Sequence, residues 1–293
     1  MRVVVTGGTG FIGRALLSAL AARGDEAVVV SREPGPGRVG WDAVEEAVWR
    51  ADAVVHLAGE PVADARWTAA RFERLRSSRI DTTRWVASAV ARAARKPRVL
   101  VSASGVGFYG TRTDADVLDE SAPAGDDPLA RLTVEWEAAA SEARAAGVRV
   151  VHPRMGMVLG RNGGAIARIV PAFRWFVGGP IGSGTQFVSW IHLDDAVRAL
   201  LFAVDQDALS GPVNLVGPHA VPMEAFAHAI GRALRRPSAL RVPGFALRVA
   251  FGEGIAQLLL TGQRAVPRRL LEAGFTFDFP ELERALVDVV GPR

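Results

Sequence analysis

VVVTGGTGFIG, residues 3–13, is a core-type β run that passes without interruption into four glycines, Gly7, Gly8, Gly10 and Gly13. Gly8, Gly10 and Gly13 satisfy the pattern G-x-G-x-x-G, and Gly7, Gly10 and Gly13 satisfy T-G-x-x-G-x-x-G. Both patterns fall where a strand ends and a helical period begins, the context that gives them meaning. A turn this tight needs a positive φ, and a backbone approaching a pyrophosphate must carry no Cβ. The exposed amides at the start of the helix then supply partial positive charge. Gly7, Thr9, Gly10, Phe11, Ile12 and Gly13 are therefore the expected phosphate-binding residues. A glycine turn that binds nothing is the plain alternative.

Working outward, RVVVTG reads as a buried strand, FIGRALLSALAARG as an amphipathic helix closed by Gly24, and EAVVVSR as a second strand. DAVVHLAG, RVLVSASG and VRVVHPRMGMVLG repeat the strand signature after helical stretches rich in Ala and Arg. These strands are apolar on both faces, as a parallel sheet covered by helices requires. The expected fold is α/β, a Rossmann-like doubly wound parallel sheet with a smaller C-terminal substrate lobe. Residues 1–153 form the dinucleotide domain, with a later contribution from about 185–216. After residue 153 the texture changes to Gly/Pro-rich turns such as VGGPIGSG, and residues 154–293 are mainly the substrate lobe, of which about 240–290 is a small C-terminal domain.

Composition narrows the function classes. The 293 residues are 49% hydrophobic and 23% charged, enough to bury a substantial core. The formal charge of +4 arises from 35 basic and 31 acidic residues, an interspersed pattern that reads as solvated helix faces and gives no expectation of nucleic acid. With no cysteine there is no thiol nucleophile, disulfide framework or Cys-ligated metal. No apolar stretch is long enough for a membrane span and no cleavable leader follows Met1, so the expectation is a cytoplasmic protein without a membrane role.

The end of the second strand indicates whose phosphate is bound. An NAD fold places a carboxylate there to accept the ribose hydroxyls, whereas this chain has Ser31 and Arg32. A guanidinium pairs bidentately with a 2′-phosphate and a serine donates to it, so NADP is favoured over NAD. Glu33 turning inward is the competing arrangement.

TGGTGFIG, VVHLAGEPV, SASGVGFYG, PRMGMVLG and SWIHLDD together resemble the NAD(P)-dependent epimerase/dehydratase superfamily. More narrowly, they resemble its atypical, extended-like short-chain dehydrogenase/reductase branch described as nucleoside-diphosphate-sugar epimerase-like. The resemblance spans essentially the whole chain, and GQRAVPRRLLEAGFTFDFPEL is similar to that branch's C-terminal domain of unknown function. It implies that Leu57, Ala58 and Gly59 line the cofactor with their backbone, that Arg79 lies near it, and that Met157 meets the nicotinamide. An ordinary solvated helix arginine is the alternative for Arg79.

Enzymes of the wider superfamily use a Tyr whose pKa is lowered by a Lys four residues later, with a Ser orienting the substrate. Here the expected window falls in LARLTVEWEAAA, placing Leu129 and Thr133 at those positions and leaving Glu137 as the helix carboxylate. The chain's single Tyr, Tyr109, has Thr113 four residues on, and the one Lys, Lys96, precedes the strand. Ser104 and Tyr109 are the expected catalytic residues. Ser102, Glu120 and a cluster of His192 with Asp194 and Asp195 are further polar candidates, although an aspartate capping the helix after His192 is the simpler reading. His56 reads as a packing group, and Trp67, Trp136 and Trp190 as core or stacking surfaces. Two functions follow: an NADP-binding oxidoreductase or epimerase acting on a small-molecule substrate such as a nucleotide-linked sugar, or an NADP-binding redox sensor or partner-binding module that has lost proton transfer. A homodimer is an expectation by analogy with related folds.

Overall fold

The computed structural model describes residues 1–62, 64–112, 116–161 and 163–291. Thr113 lies outside them. The first half alternates strand and helix: β1 (Arg2–Thr6), α1 (Phe11–Ala22), β2 (Glu26–Val30), β3 (Arg38–Val39), α2 (Val44–Trp49), β4 (Ala53–His56), α3 (Ala69–Arg92), β5 (Val99–Ser102) and β6 (Ser104–Gly105). A 3-10 turn at Val106–Tyr109 leads to β7 (Val117–Leu118), α4 (Pro128–Ala138), α5 (Ser141–Ala145) and β8 (Arg149–Met155). The second half runs β9 (Met157–Leu159), α6 (Gly164–Arg174), β10 (Phe187–Val188), β11 (Trp190–His192), α7 (Leu193–Asp205) and β12 (Gly211–Leu215). It continues through β13 (Val221–Pro222), α8 (Met223–Leu234), α9 (Gly244–Phe251), α10 (Glu253–Leu260), β14 (Arg264–Ala265), α11 (Arg268–Glu272) and α12 (Leu282–Val290).

The main sheet is parallel in the order β12-β8-β5-β4-β1-β2-β3, with β6 continuing the pairing of β5 along β8. Both faces are covered. Val3, Val5, Val55 and Val101 pack with α1 and α7, while Val4, Val54 and Leu100 pack with α2, α3 and α5. Val3, Val4 and Val5 are wholly buried, which explains the unbroken apolar run; each contributes about 1.5–3 kcal/mol by leaving water. A separate core joins α6, α8 and α12. α1 ends at Ala22, and Gly24 turns the chain with φ +73°.

VRVVHPRMGMVLG, read as one strand, is two. Gly156 lies so close to the next segment that a Cβ there would approach Ser189 O to 2.4 Å, and beyond it β9 leaves the main sheet to pair with β11. No helix among the described residues is long and apolar enough to cross a membrane.

Candidate functional site

The glycine turn stands at the C-terminal edge of the sheet. Gly7 has φ +70°, and a Cβ on it would lie 2.7 Å from the carbonyl carbon of Leu57, so the turn rests directly on the LAG segment that ends β4. Gly13 is fixed by packing: its Cβ would lie 2.2 Å from Gly7 O. Gly10 differs, because its backbone is extended (φ −76°, ψ 178°) and a Cβ would meet only Gly7 O, at 3.1 Å. Gly10 N donates to Gly7 O at 3.0 Å. Thr9 and Gly10 are exposed, no side chain caps α1, and its first turn carries no acid, so the positive end of the helix faces outward uncompensated. The Phe11 ring is an anchor, filling space left by Gly160, Gly163 and Gly164, while Ile12 is half-buried beside it against the core.

Ser31 and Arg32 follow β2 as expected. Ser31 is half-buried and its Oγ accepts from Glu33 N at 3.2 Å; Arg32 is exposed and enters no ion pair among the described residues. Leu57 and Ala58 are half-buried and Gly59 is exposed. Arg79 is a buried residue, which removes the solvated alternative. It donates to Leu75 O at 3.1 Å and Glu60 O at 2.8 Å and lies over the Trp136 ring, and burial, with Arg71 nearby, pushes its pKa down to about 10. Its side chain passes within 3.5 Å of where a Gly59 Cβ would be. Met157 N donates to Ser189 O at 2.7 Å at the start of β9. His56 is a packing group, linked to Thr6 Oγ1 at 2.6 Å and Thr83 Oγ1 at 2.9 Å, and burial lowers its pKa to about 4.

Ser104 and Tyr109 belong to one buried network whose centre is Arg154 on β8. Ser104 Oγ donates to Glu137 Oε1 at 2.7 Å; Arg154 donates to the two Glu137 oxygens at 2.8 and 3.0 Å and to the Tyr109 hydroxyl at 3.1 Å. The Tyr109 hydroxyl donates in turn to Asn214 Oδ1 at 2.6 Å. Tyr109 has 0% exposure, and desolvation raises its pKa, against the opposing pull of Arg154. The expectation of Tyr109 as a donor facing substrate therefore meets a phenol enclosed by protein. Leu129 and Thr133 stand beside Gly107, with Leu129 Cδ2 3.1 Å from a Cβ placed there, so no acid or base occupies those two positions. Arg154 and Asn214 were missed in the sequence; an arginine inside the otherwise apolar strand RVVHPRM is the signal that marks the first.

Other candidates prove to be fasteners. Glu120, buried and with its pKa raised by desolvation, accepts from Asn214 N at 2.9 Å and Arg269 N at 3.3 Å. The cap of α7 is His192, whose Nδ1 accepts from Asp194 N at 3.2 Å, rather than an aspartate. Asp195 is wholly buried and accepts from Asp278 N and Phe279 N, both at 2.8 Å, tying down the C-terminal segment. Trp136 and Trp190 use their N–H groups on Thr83 and His219. Ser102 Oγ is buried without a partner. No cluster of three metal-ligating residues exists among the described residues.

A cavity of about 430 Å³ opens beside Gly107 and Leu129 and is closed by α10 on its other wall, with Trp67 and Phe72 forming an aromatic side. Its size is that of an ordinary small-molecule pocket.

The sequence profile of the NAD dependent epimerase/dehydratase family matches residues 3–217, and that of a domain of unknown function (DUF1731) matches residues 242–289. The chain belongs to the NAD dependent epimerase/dehydratase family. Within it, the chain is 44% identical over 297 residues to the epimerase family protein SDR39U1 of Bos taurus, covering 99% of this chain and 100% of that one. It superposes on the crystal structure of human epimerase family protein SDR39U1 (isoform 2) with NADPH at a TM-score of 0.93 and 39% identity, covering 99% of both chains. The nucleoside-diphosphate sugar epimerase from Corynebacterium glutamicum is similar at 32% identity and a TM-score of 0.82, covering 99% of this chain and 58% of that one. The mostly parallel, helix-flanked sheet is the architecture these relatives share.

Proposed function

We propose that this chain is an NADP-dependent oxidoreductase or epimerase acting on a small molecule held in the cavity beside Gly107. The observation that carries the reading is the turn itself: Gly7 and Gly13 are required by backbone geometry, whereas Gly10 is not. An extended residue with an open mouth and an uncapped, acid-free helix start is what a pyrophosphate needs. Gly7, Thr9, Gly10, Phe11, Ile12 and Gly13 hold the pyrophosphate through backbone amides, and Ser31 and Arg32 take the 2′-phosphate. Leu57, Ala58 and Gly59 line the ribose, Arg79 fixes that segment through the Glu60 carbonyl, and Met157 meets the nicotinamide. The NADPH reported in the human SDR39U1 structure supports this assignment. Bound in its oxidised form, the cofactor would accept the hydride that leaves a substrate carbinol carbon as its hydroxyl loses a proton. Proton movement falls to Ser104, whose Oγ takes a proton from a substrate hydroxyl while passing its own to Glu137, held in place by Arg154.

The same reading gives residues 1–153, with about 185–216, to the nucleotide and 154–293 mainly to the substrate, the 240–290 segment closing the cavity. It includes a cytoplasmic location and a homodimer, the latter read by sedimentation equilibrium. A second reading, a nucleotide-dependent redox sensor, is favoured by Leu129 and Thr133 standing where a Tyr-Lys pair would act and by the enclosure of Tyr109. Calorimetric titration with NADPH and NADH tests the cofactor assignment. Gly10→Val abolishes binding of both, and Arg32→Ala weakens NADPH alone by roughly 10- to 150-fold, the worth of a charge-assisted contact of about 1.5–3 kcal/mol. Equal weakening of both cofactors by Arg32→Ala removes Arg32 as the discriminator, and absence of turnover across nucleotide sugars and small carbonyl compounds selects the sensor.

A further inference from the structure

Three helices begin on the wall of the cavity: α3 at Thr68 and Ala69, α4 at Asp127 and Pro128, and α10 at Glu253 and Gly254. Helix starts attract anions through free N–H groups and the positive end of the dipole. Here the first two are already served from within, and the third, which no side chain caps, carries an acid. Thr68 Oγ1 accepts from Arg71 N at 3.1 Å. Asp127 Oδ1 accepts from Leu129 N and Ala130 N at 2.9 and 3.0 Å, its Oδ2 accepts from Thr111 N at 2.6 Å, and Pro128 has no N–H to offer. Glu253 puts a carboxylate in the first turn of α10.

The wall carries these two carboxylates and, among the described residues, no Lys, Arg or His. Guanidiniums on the flanking elements are engaged: Arg66 with the carbonyls of Val249 and Ala250, Arg71 with Glu60 and Pro61 O, and Arg248 with the wall carboxylate of Glu253. A diphosphate entering this space would lose its water and meet the Asp127 carboxylate and a Glu253 already paired with Arg248, with no Lys, Arg or His in the lining to offset the cost. What the wall offers is apolar surface and uncharged polar groups. Trp67 and Phe72 rings lie 5.8 Å apart, the Trp67 N–H is already donated to Val62 O at 2.9 Å, Leu129 and Leu258 continue the apolar lining, and the Gln257 amide has no partner among the described residues.

Resting on the reading of this cavity as the substrate site, we infer that it selects a phosphate-free carbonyl or hydroxyl compound with an aromatic or aliphatic body and excludes nucleoside diphosphates. The amide of Gln257 recognises the oxygen function, and Trp67, Phe72 and Leu129 take the body.

Saturation-transfer NMR on the NADPH-loaded protein tests the charge rule with matched probes: benzyl alcohol and 2-phenylethanol, their phosphate monoesters, and UDP-glucose. The alcohols are expected to give signals that disappear in Leu129→Trp, which fills the cavity, while the phosphates and UDP-glucose give none. Gln257→Arg, on the exposed side of α10, is expected to bring the phosphates in with a gain of roughly tenfold or more, one charge-assisted contact, while the alcohol signals weaken with loss of the amide that recognises their oxygen. Phosphates or UDP-glucose binding the parent as well as the alcohols overturns the inference, as does the absence of any Leu129-dependent signal in both series. NADPH fluorescence in the same samples separates the two readings: a failure to bind NADPH overturns the cofactor assignment, whereas the cavity's preference is read from the probes.

Discussion

The Tyr109 phenol donates to Asn214 Oδ1 at 2.6 Å and accepts from Arg154 at 3.1 Å, with no exposure to solvent. Burial raises its pKa, so the phenol keeps its proton and serves as a link between β12 and the Arg154 network. Tyr109→Phe leaves Asn214 Oδ1 without this donor and one Arg154 N–H without this acceptor, and is expected to cost about 1–3 kcal/mol of stability, measured by urea unfolding, with turnover at saturating substrate largely kept. Unchanged stability together with lost turnover would restore the phenol to the chemistry. The two glycine classes in the turn separate in the same way: Gly7 and Gly13 answer to backbone, whereas Gly10 has an extended backbone and its Cβ would meet only Gly7 O.

At the scale of elements, α4 illustrates how one side chain sets both stability and specificity. Asp127 caps α4 and holds Thr111 N, so Asp127→Ala is expected to cost about 0.5–2 kcal/mol, read as a lowered Tm. The same change uncovers N–H groups at the cavity wall, and a gain in binding of benzyl phosphate accompanies the loss of stability; a Tm equal to the parent's would show that the cap contributes nothing. Element boundaries followed the sequence where local chemistry decides them, as at Gly24. They departed from it where a distant segment decides: the break at Gly156 is imposed by Ser189, and the His192 cap of α7 by the turn of the chain leaving β11.

For the whole molecule, burial writes a pH dependence. His56 and His152 are both lowered from 6.5 to about 4, by desolvation first, with Arg144 and Arg154 also lowering His152 against Glu137. The unfolded chain therefore binds protons that the folded one refuses. Stability is fully present above pH 6.5 and is lost as pH falls toward 4, by about 3 kcal/mol for each histidine. Glu120, whose pKa is raised, works in the opposite direction. Urea unfolding between pH 7.5 and 4 checks the sign: the parent weakens through this window, His56→Gln weakens less, and parallel profiles for the two would remove His56 as a source. The sequence by itself determined the parallel sheet, because strands apolar on both faces must be covered twice, and it determined the glycine turn between β1 and α1, because glycine spacing at a strand-to-helix junction is a local property. It also showed that the one Tyr has Thr113, not Lys, four residues on. Only the tertiary structure decided that Tyr109 is enclosed by Arg154 and Asn214, that Arg79 is buried, and that the starts of three helices and an aromatic pair surround a space whose lining, among the described residues, holds no Lys, Arg or His. Those facts depend on residues far apart in the chain, such as Tyr109 with Asn214 and Trp67 with Gly254, and a pattern of neighbours carries no record of which distant side chain will satisfy a buried donor.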